Sequence, residues 1–172
     1  MTIEPDTKDW TWVLERRCDE CGFDSSTVPV DQLPDQFRQN ARGWIDVLTG
    51  EDVAVRPVPS VWSPLEYACH VRDVHVLFDR RVELMLTEDA PRFENWDQDA
   101  TAVDSAYGDQ DPAVVATELV AAAEAVAGRY AAVAGDRWHC RGTRSEGAVF
   151  TVETLARYHL HDVVHHLYDV RS

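Results

Sequence analysis

Apolar residues recur at helical spacing in four separated stretches of the chain. From about Asp31 to Thr49 they fall at Leu33, Phe37, Trp44, Ile45 and Leu48. Pro34 suits a first helical turn there and Gly50 a C-terminal cap. In "WSPLEYACHV" Ser63 can cap, Pro64 sits at the first helical position and Glu66 completes a capping box, so a second helix should run to about Leu86. The alanine-rich run after Asp111 and Pro112 predicts a third helix to about Ala134. A fourth should run from near Thr151 to about Val170. The pattern predicts an all-α chain, a four-helix bundle with an irregular leader over residues 1–30 and the bundle over 31–172. A long acidic loop, "TEDAPRFENWDQDATAVDSAYGDQ", separates helices two and three. "GDRWHCRGTRSEGAVFTV" reads as a short extended excursion between helices three and four. Trp10, Trp12 and Val13 should pack the leader on the bundle.

The last helix carries the chemistry. "YHLHDVVHHLYDV" holds four of the seven histidines, with two aspartates among them. Its apolar positions, Val152, Leu155, Ala156, Leu160, Val163, Leu167 and Val170, mark one face. At about 100° per residue, His159, Asp162 and His166 flank that face, whereas His161 and His165 fall toward water. The helix-two face outlined by Tyr67, Val74, Leu77, Phe78 and Met85 includes His70, with Asp73 and His75 off to either side. His70, Asp162 and His166 then make a set of two imidazoles and one carboxylate between facing helices. Such a set with open positions suits a divalent metal: zinc first, with ferrous iron or nickel also chemically open. The pair His161/His165 remains the alternative register.

"CDECG" supplies Cys18 and Cys21, half of a structural zinc knuckle. Its completion by Cys69 and Cys140 would require the fold to bring them close, and no βαβ pattern supports a redox role. Cys69 adjoins His70 but points about 100° away on a helix, so it should not share an ion with it.

Composition narrows the functional classes. The 172 residues carry a formal net charge of −15, which opposes binding to nucleic-acid phosphates or an anionic membrane surface. No apolar run is long enough to span a bilayer, and "MTIEPDTKDW" has no signal-peptide character. The expectation is a cytoplasmic protein with reduced cysteines, acting on a small molecule. No phosphate-binding glycine motif or nucleophile elbow is present.

"WSPLEYACHVRDV" resembles the second-helix motif of the DinB-like superfamily, in which the histidine of an HxxD segment is a metal ligand. "HDVVHHLYDV" resembles that superfamily's last-helix motif, two ligands four apart and a polar residue three after the second. Taking Asp169 as that polar residue puts the ligands at Asp162 and His166. The usual pair is two histidines. The mycothiol-dependent maleylpyruvate isomerases of the superfamily carry a carboxylate at the first position, as here. The resemblance covers about residues 31–170 and leaves "CDECG" outside. It implies a bundle, often dimeric, and a metal that binds the thiol of mycothiol or a similar low-molecular-weight thiol. The expected function is a metal- and thiol-dependent transferase or isomerase. Asp73, His159 and Asp169 would orient the ligands from outside, and Arg72 or Arg157 would meet an anionic substrate. The rival expectations are a non-catalytic metal- or ligand-binding stress protein and a purely structural bundle.

Overall fold

The computed structural model describes Ile3 and residues 9–172, so most of the first eight residues of the expected leader lie outside the described residues. Four long helices form the bundle: α1 (Leu33–Leu48), α2 (Pro64–Thr87), α4 (Pro112–Ala131) and α5 (Val152–Asp169). A short α3 (Gln98–Asp104) lies within the connection expected to be loop. Its start is set by Asp97, whose side chain accepts from the Ala100 amide. Strands β1 (Arg141–Thr143) and β2 (Val149–Thr151) form an antiparallel hairpin with Gly142 opposite Phe150.

The sequence signals act as local chemistry dictates. Ser63 and Glu66 exchange hydrogen bonds with each other's backbone amides at the start of α2. Asp111 caps α4 through the Ala113 amide. At α5 Thr151 and Thr154 exchange the same reciprocal bonds. Helix α1 packs on α4 and α5, and α2 packs on the same two, so consecutive α1 and α2 stand largely diagonal to one another. This arrangement is why the connections between bundle helices are long.

Phe37, Trp44, Leu119, Leu155 and Leu160 are among the side chains that fill the core. Asn40 donates to the Val163 carbonyl at 2.9 Å and ties α1 to α5. Arg129 pairs with Asp79 at 2.5 Å between α4 and α2. The segment after α2 is fastened to the hairpin: the Phe93 amide donates to the Thr143 carbonyl at 2.8 Å, and the Thr143 amide to the Pro91 carbonyl at 2.9 Å. That anchoring carries Trp96 over the face of His70.

The leader packs on α5 through short 3-10 turns at Thr11–Leu14 and Ser25–Thr27. Val13 is buried, as expected. Arg157, expected as a possible substrate contact, instead donates to the Ser25 and Val28 carbonyls and pairs with Glu153. Arg72 is likewise engaged, by Asp73, Gln110 and Glu118.

Candidate metal centre

The register of α5 decides which histidines meet which partners. His70 projects from α2 toward Asp162 and His166 on α5, and donor atoms of all three lie within 4.8 Å of one another. His70 Nε2 is 4.0 Å and His166 Nε2 3.9 Å from the same oxygen, Asp162 Oδ1. A tetrahedral ion with metal–ligand bonds near 2.1 Å would have donor separations of about 3.4 Å, so the set would close by roughly half an ångström around it. Two imidazoles and one carboxylate are the donor chemistry of an open zinc or ferrous site, and the residues fit such an ion. Among the described residues, no fourth His, Cys, Asp or Glu joins this group.

Burial first, then the neighbouring His166, holds the His70 imidazole well below its ordinary pKa. It is therefore neutral, the form in which a ring nitrogen can bind a metal. Its ring stacks on Trp96 at 5.4 Å and contacts Trp62 at 5.2 Å, so indoles cover it on more than one side. His166 meets Tyr67 at 5.2 Å. Asp169, the expected supporting residue, sets its Oδ2 3.1 Å from His166 Nδ1. That contact fixes the tautomer with the proton on Nδ1 and turns Nε2 toward Asp162 and His70.

The other two expected supporting residues have different partners. Asp73 pairs with Arg72 and accepts from the Tyr107 hydroxyl at 2.5 Å. His159 lies in the core, its Nε2 3.0 Å from His75 Nδ1 and its Nδ1 3.3 Å from the Tyr130 hydroxyl. His75 itself is fully buried, not on the helix flank, because α2 packs on both α4 and α5.

The expectation that His161 and His165 face water is corrected: they are 4% and 7% exposed. The leader covers that side of α5 and brings Cys18 and Cys21 against them. Cys18 Sγ is 3.7 Å from His165 Nδ1, and Cys21 Sγ is 3.8 Å from His161 Nε2. Cys69 does not complete the cysteine pair; it is buried on α2 near the Tyr107 carbonyl and Gln110. Cys140 lies outside the group as well. Burial first, and His165 second, lowers the His161 pKa to about 4, while burial raises the Cys21 thiol to about 11.

A cleft of about 780 Å³ runs along this surface, lined by Trp10, Trp62, Trp96, Tyr158, Asp162 and His166 among others. A smaller pocket of about 120 Å³ shares its Trp96, Arg144, Tyr158 and Asp162 wall and adds His70 and Arg81. Arg81 is the residue the sequence reading missed. Its Nε is buried without a hydrogen-bond partner, and burial first, with Arg144 second, lowers its pKa to about 10. The rest of the guanidinium is held by ring faces, Phe78 at 5.5 Å and Phe93 at 5.4 Å, and by the Glu94 carbonyl, to which Nη2 donates at 3.4 Å. A helix-phase reading shows no such signal, because the pocket is made by the hairpin and the loop after α2.

Comparisons with known proteins agree with this architecture. The structure of YfiT from Bacillus subtilis, described as a probable metal-dependent hydrolase with an unusual four-helix bundle topology, superposes with a TM-score of 0.66. The match covers 98% of this chain and 91% of that one at 16% identity, so the likeness is one of fold. No curated protein sequence matches significantly. The family model of the DinB superfamily matches residues 34–170, which spans all four bundle helices, and the chain belongs to the DinB superfamily.

Proposed function

We propose that His70, Asp162 and His166 hold a divalent metal, zinc first, and that the protein is a thiol-dependent transferase or isomerase. The observation that carries the reading is the convergence of three donors from two helices where a cleft meets its adjoining pocket, Asp162 and His166 on the cleft wall and His70 on the pocket's, with no fourth protein ligand among the described residues. A divalent ion so held supplies a Lewis-acidic position at which a low-molecular-weight thiol, such as mycothiol, loses its proton near neutral pH. Nickel or iron would satisfy the same donor set.

The chain's own residues then have distinct tasks. Asp169 orients His166. Trp62 and Trp96 shield His70 from water. Arg81 and Arg144, close together on the adjoining pocket, favour an electrophile bearing a carboxylate or another anionic group. The same proposal places the protein in the cytoplasm as a homodimer. Neither property alters the chemistry.

The test is a difference spectrum of the cobalt-substituted protein on adding mycothiol. A new sulfur-to-cobalt charge-transfer band should appear and be lost in His70→Ala. Taking the difference removes any band from the protein's own cysteines. Metal binding with no spectral response to saturating thiol would overturn the thiol reading and favour the non-catalytic metal-binding protein. YfiT is described as a probable metal-dependent hydrolase, so water in place of thiol at this chain's open position is the alternative the same spectra would favour.

A further inference from the structure

The second donor cluster has a different chemistry from the first. Cys18 and Cys21, with two residues between them, lie in a tight turn of the leader, where the Gly22 amide donates to the Cys18 carbonyl at 3.0 Å and the Cys18 amide to the Phe23 carbonyl at 2.9 Å. Gly22 has φ +74, a left-handed conformation that a residue with a side chain rarely adopts, and it lets the turn close behind the two thiols. His161 and His165 stand one turn apart on α5 and so present their rings on one side. Together they read C-x2-C and H-x3-H, the ligand spacing of a structural zinc site, although Cys21 and His161 are 140 positions apart in the chain.

The distances fit a closed tetrahedron. With Zn–S near 2.3 Å and Zn–N near 2.05 Å, the sulfur-to-nitrogen edges are about 3.6 Å. The observed edges are 3.7 Å for Cys18 to His165 and 3.8 Å for Cys21 to His161, and every pair of donor atoms lies within 4.8 Å. Three of the four residues are buried. The ring nitrogen of His165 that faces away from the thiols, Nε2, lies 3.6 Å from Glu20 Oε2 and 3.6 Å from Asp169 Oδ1. Carboxylates behind an imidazole raise its basicity and fix its tautomer, as they do behind metal-bound histidines.

We propose that Cys18, Cys21, His161 and His165 bind a structural zinc ion that pins the leader to α5, beside the first centre and with its own four ligands. Two thiolates balance the charge of the ion, and four protein ligands leave no position for substrate. The two centres interleave on one helix, His161 and His165 serving one, Asp162 and His166 the other. The pinned leader contributes Trp10, whose ring lies 5.0 Å from His165 and 5.6 Å from His161 and forms part of the cleft wall. The structural ion therefore sets one wall of the pocket without touching its reactants.

The experiment measures zinc per chain in the purified full-length protein and in Cys18→Ser/Cys21→Ser, alongside release of zinc by an organomercurial titrated into the wild type. The expected result is loss of about one ion per chain in the double variant. The His70→Ala/His166→Ala protein should keep that ion and still release it to the mercurial. If the cysteine variant fails to fold, the wild-type titration and the His70→Ala/His166→Ala protein still decide. Unchanged zinc content in the cysteine variant would overturn the proposal. So would a wild type whose zinc is not released as the mercurial consumes the thiols of Cys18 and Cys21. Limited proteolysis adds a structural readout: with zinc removed, cleavage between residues 9 and 30 should accelerate at least tenfold. Equal cleavage rates with and without zinc would mean that the ion does not pin the leader.

Discussion

Asp169 holds its Oδ2 3.1 Å from Nδ1 of His166, one turn earlier on α5. Its other oxygen faces His165 Nε2 at 3.6 Å. One carboxylate thus stands behind a ligand of each proposed centre. Replacing it with asparagine keeps the volume and removes the charge. Asp169→Asn should weaken metal binding at the His70 centre by about 10- to 100-fold, measured by competition with a chelator. An unchanged affinity would show that His166 does not depend on this contact.

The buried histidine pair predicts a pH dependence separate from any metal. Burial lowers the His75 pKa from 6.5 to about 3, and His159 is depressed in the same direction. A depressed histidine is neutral in the folded protein, so the unfolded chain takes up the proton first. The stability from this pair is therefore fully present above about pH 6.5 and is lost as pH falls toward 3, at about 1.4 kcal/mol per pH unit for each proton. His75→Gln should flatten the fall in urea-unfolding free energy between pH 6.5 and 5 by about one proton. A variant curve parallel to the wild type would sink this account.

Gly142 is packed where no Cβ fits. An added Cβ would lie 2.4 Å from Phe93 Cζ and 2.9 Å from Met85 Cγ. Gly142→Ala should cost about 1–3 kcal/mol through overpacking. Because the segment it displaces carries Trp96, fluorescence of the cleft tryptophans should shift as well. Wild-type stability would mean that Phe93 yields without cost.

Arg81 and Arg144 border the pocket that includes His70 and Asp162. Arg81→Leu should raise KM for an anionic electrophile about tenfold or more while leaving metal content unchanged, since a charge-assisted contact contributes about 1.5–3 kcal/mol. Equal effects on anionic and neutral electrophiles would assign Arg81 to packing alone.

Much of this arrangement is legible in the chain. Pro34, the Ser63–Glu66 box and the Asp111–Pro112 pair mark helix starts that the structure keeps. The period of α5 selects Asp162 and His166 as the partners of His70, and the fold brings these three together. The same period misplaces His161 and His165, because it describes the side of a helix relative to the bundle core. It carries no information about a leader folded over the opposite side. The CxxC turn and the H-x3-H pair each look incomplete alone, and only tertiary structure joins them. His159 and His75 lie in the core and not on a flank for a related reason: a flank position in a four-helix bundle is buried when helices pack on both sides of it.

The most direct measurement of the central claim is the metal content of the purified protein by elemental mass spectrometry, repeated on Asp162→Ala/His166→Ala. This double variant should lose about one ion per chain relative to the wild type and retain the ion held with Cys18 and Cys21. A double variant with the wild-type metal content, or a wild type that binds no metal at His70, Asp162 and His166 even after loading, would contradict it.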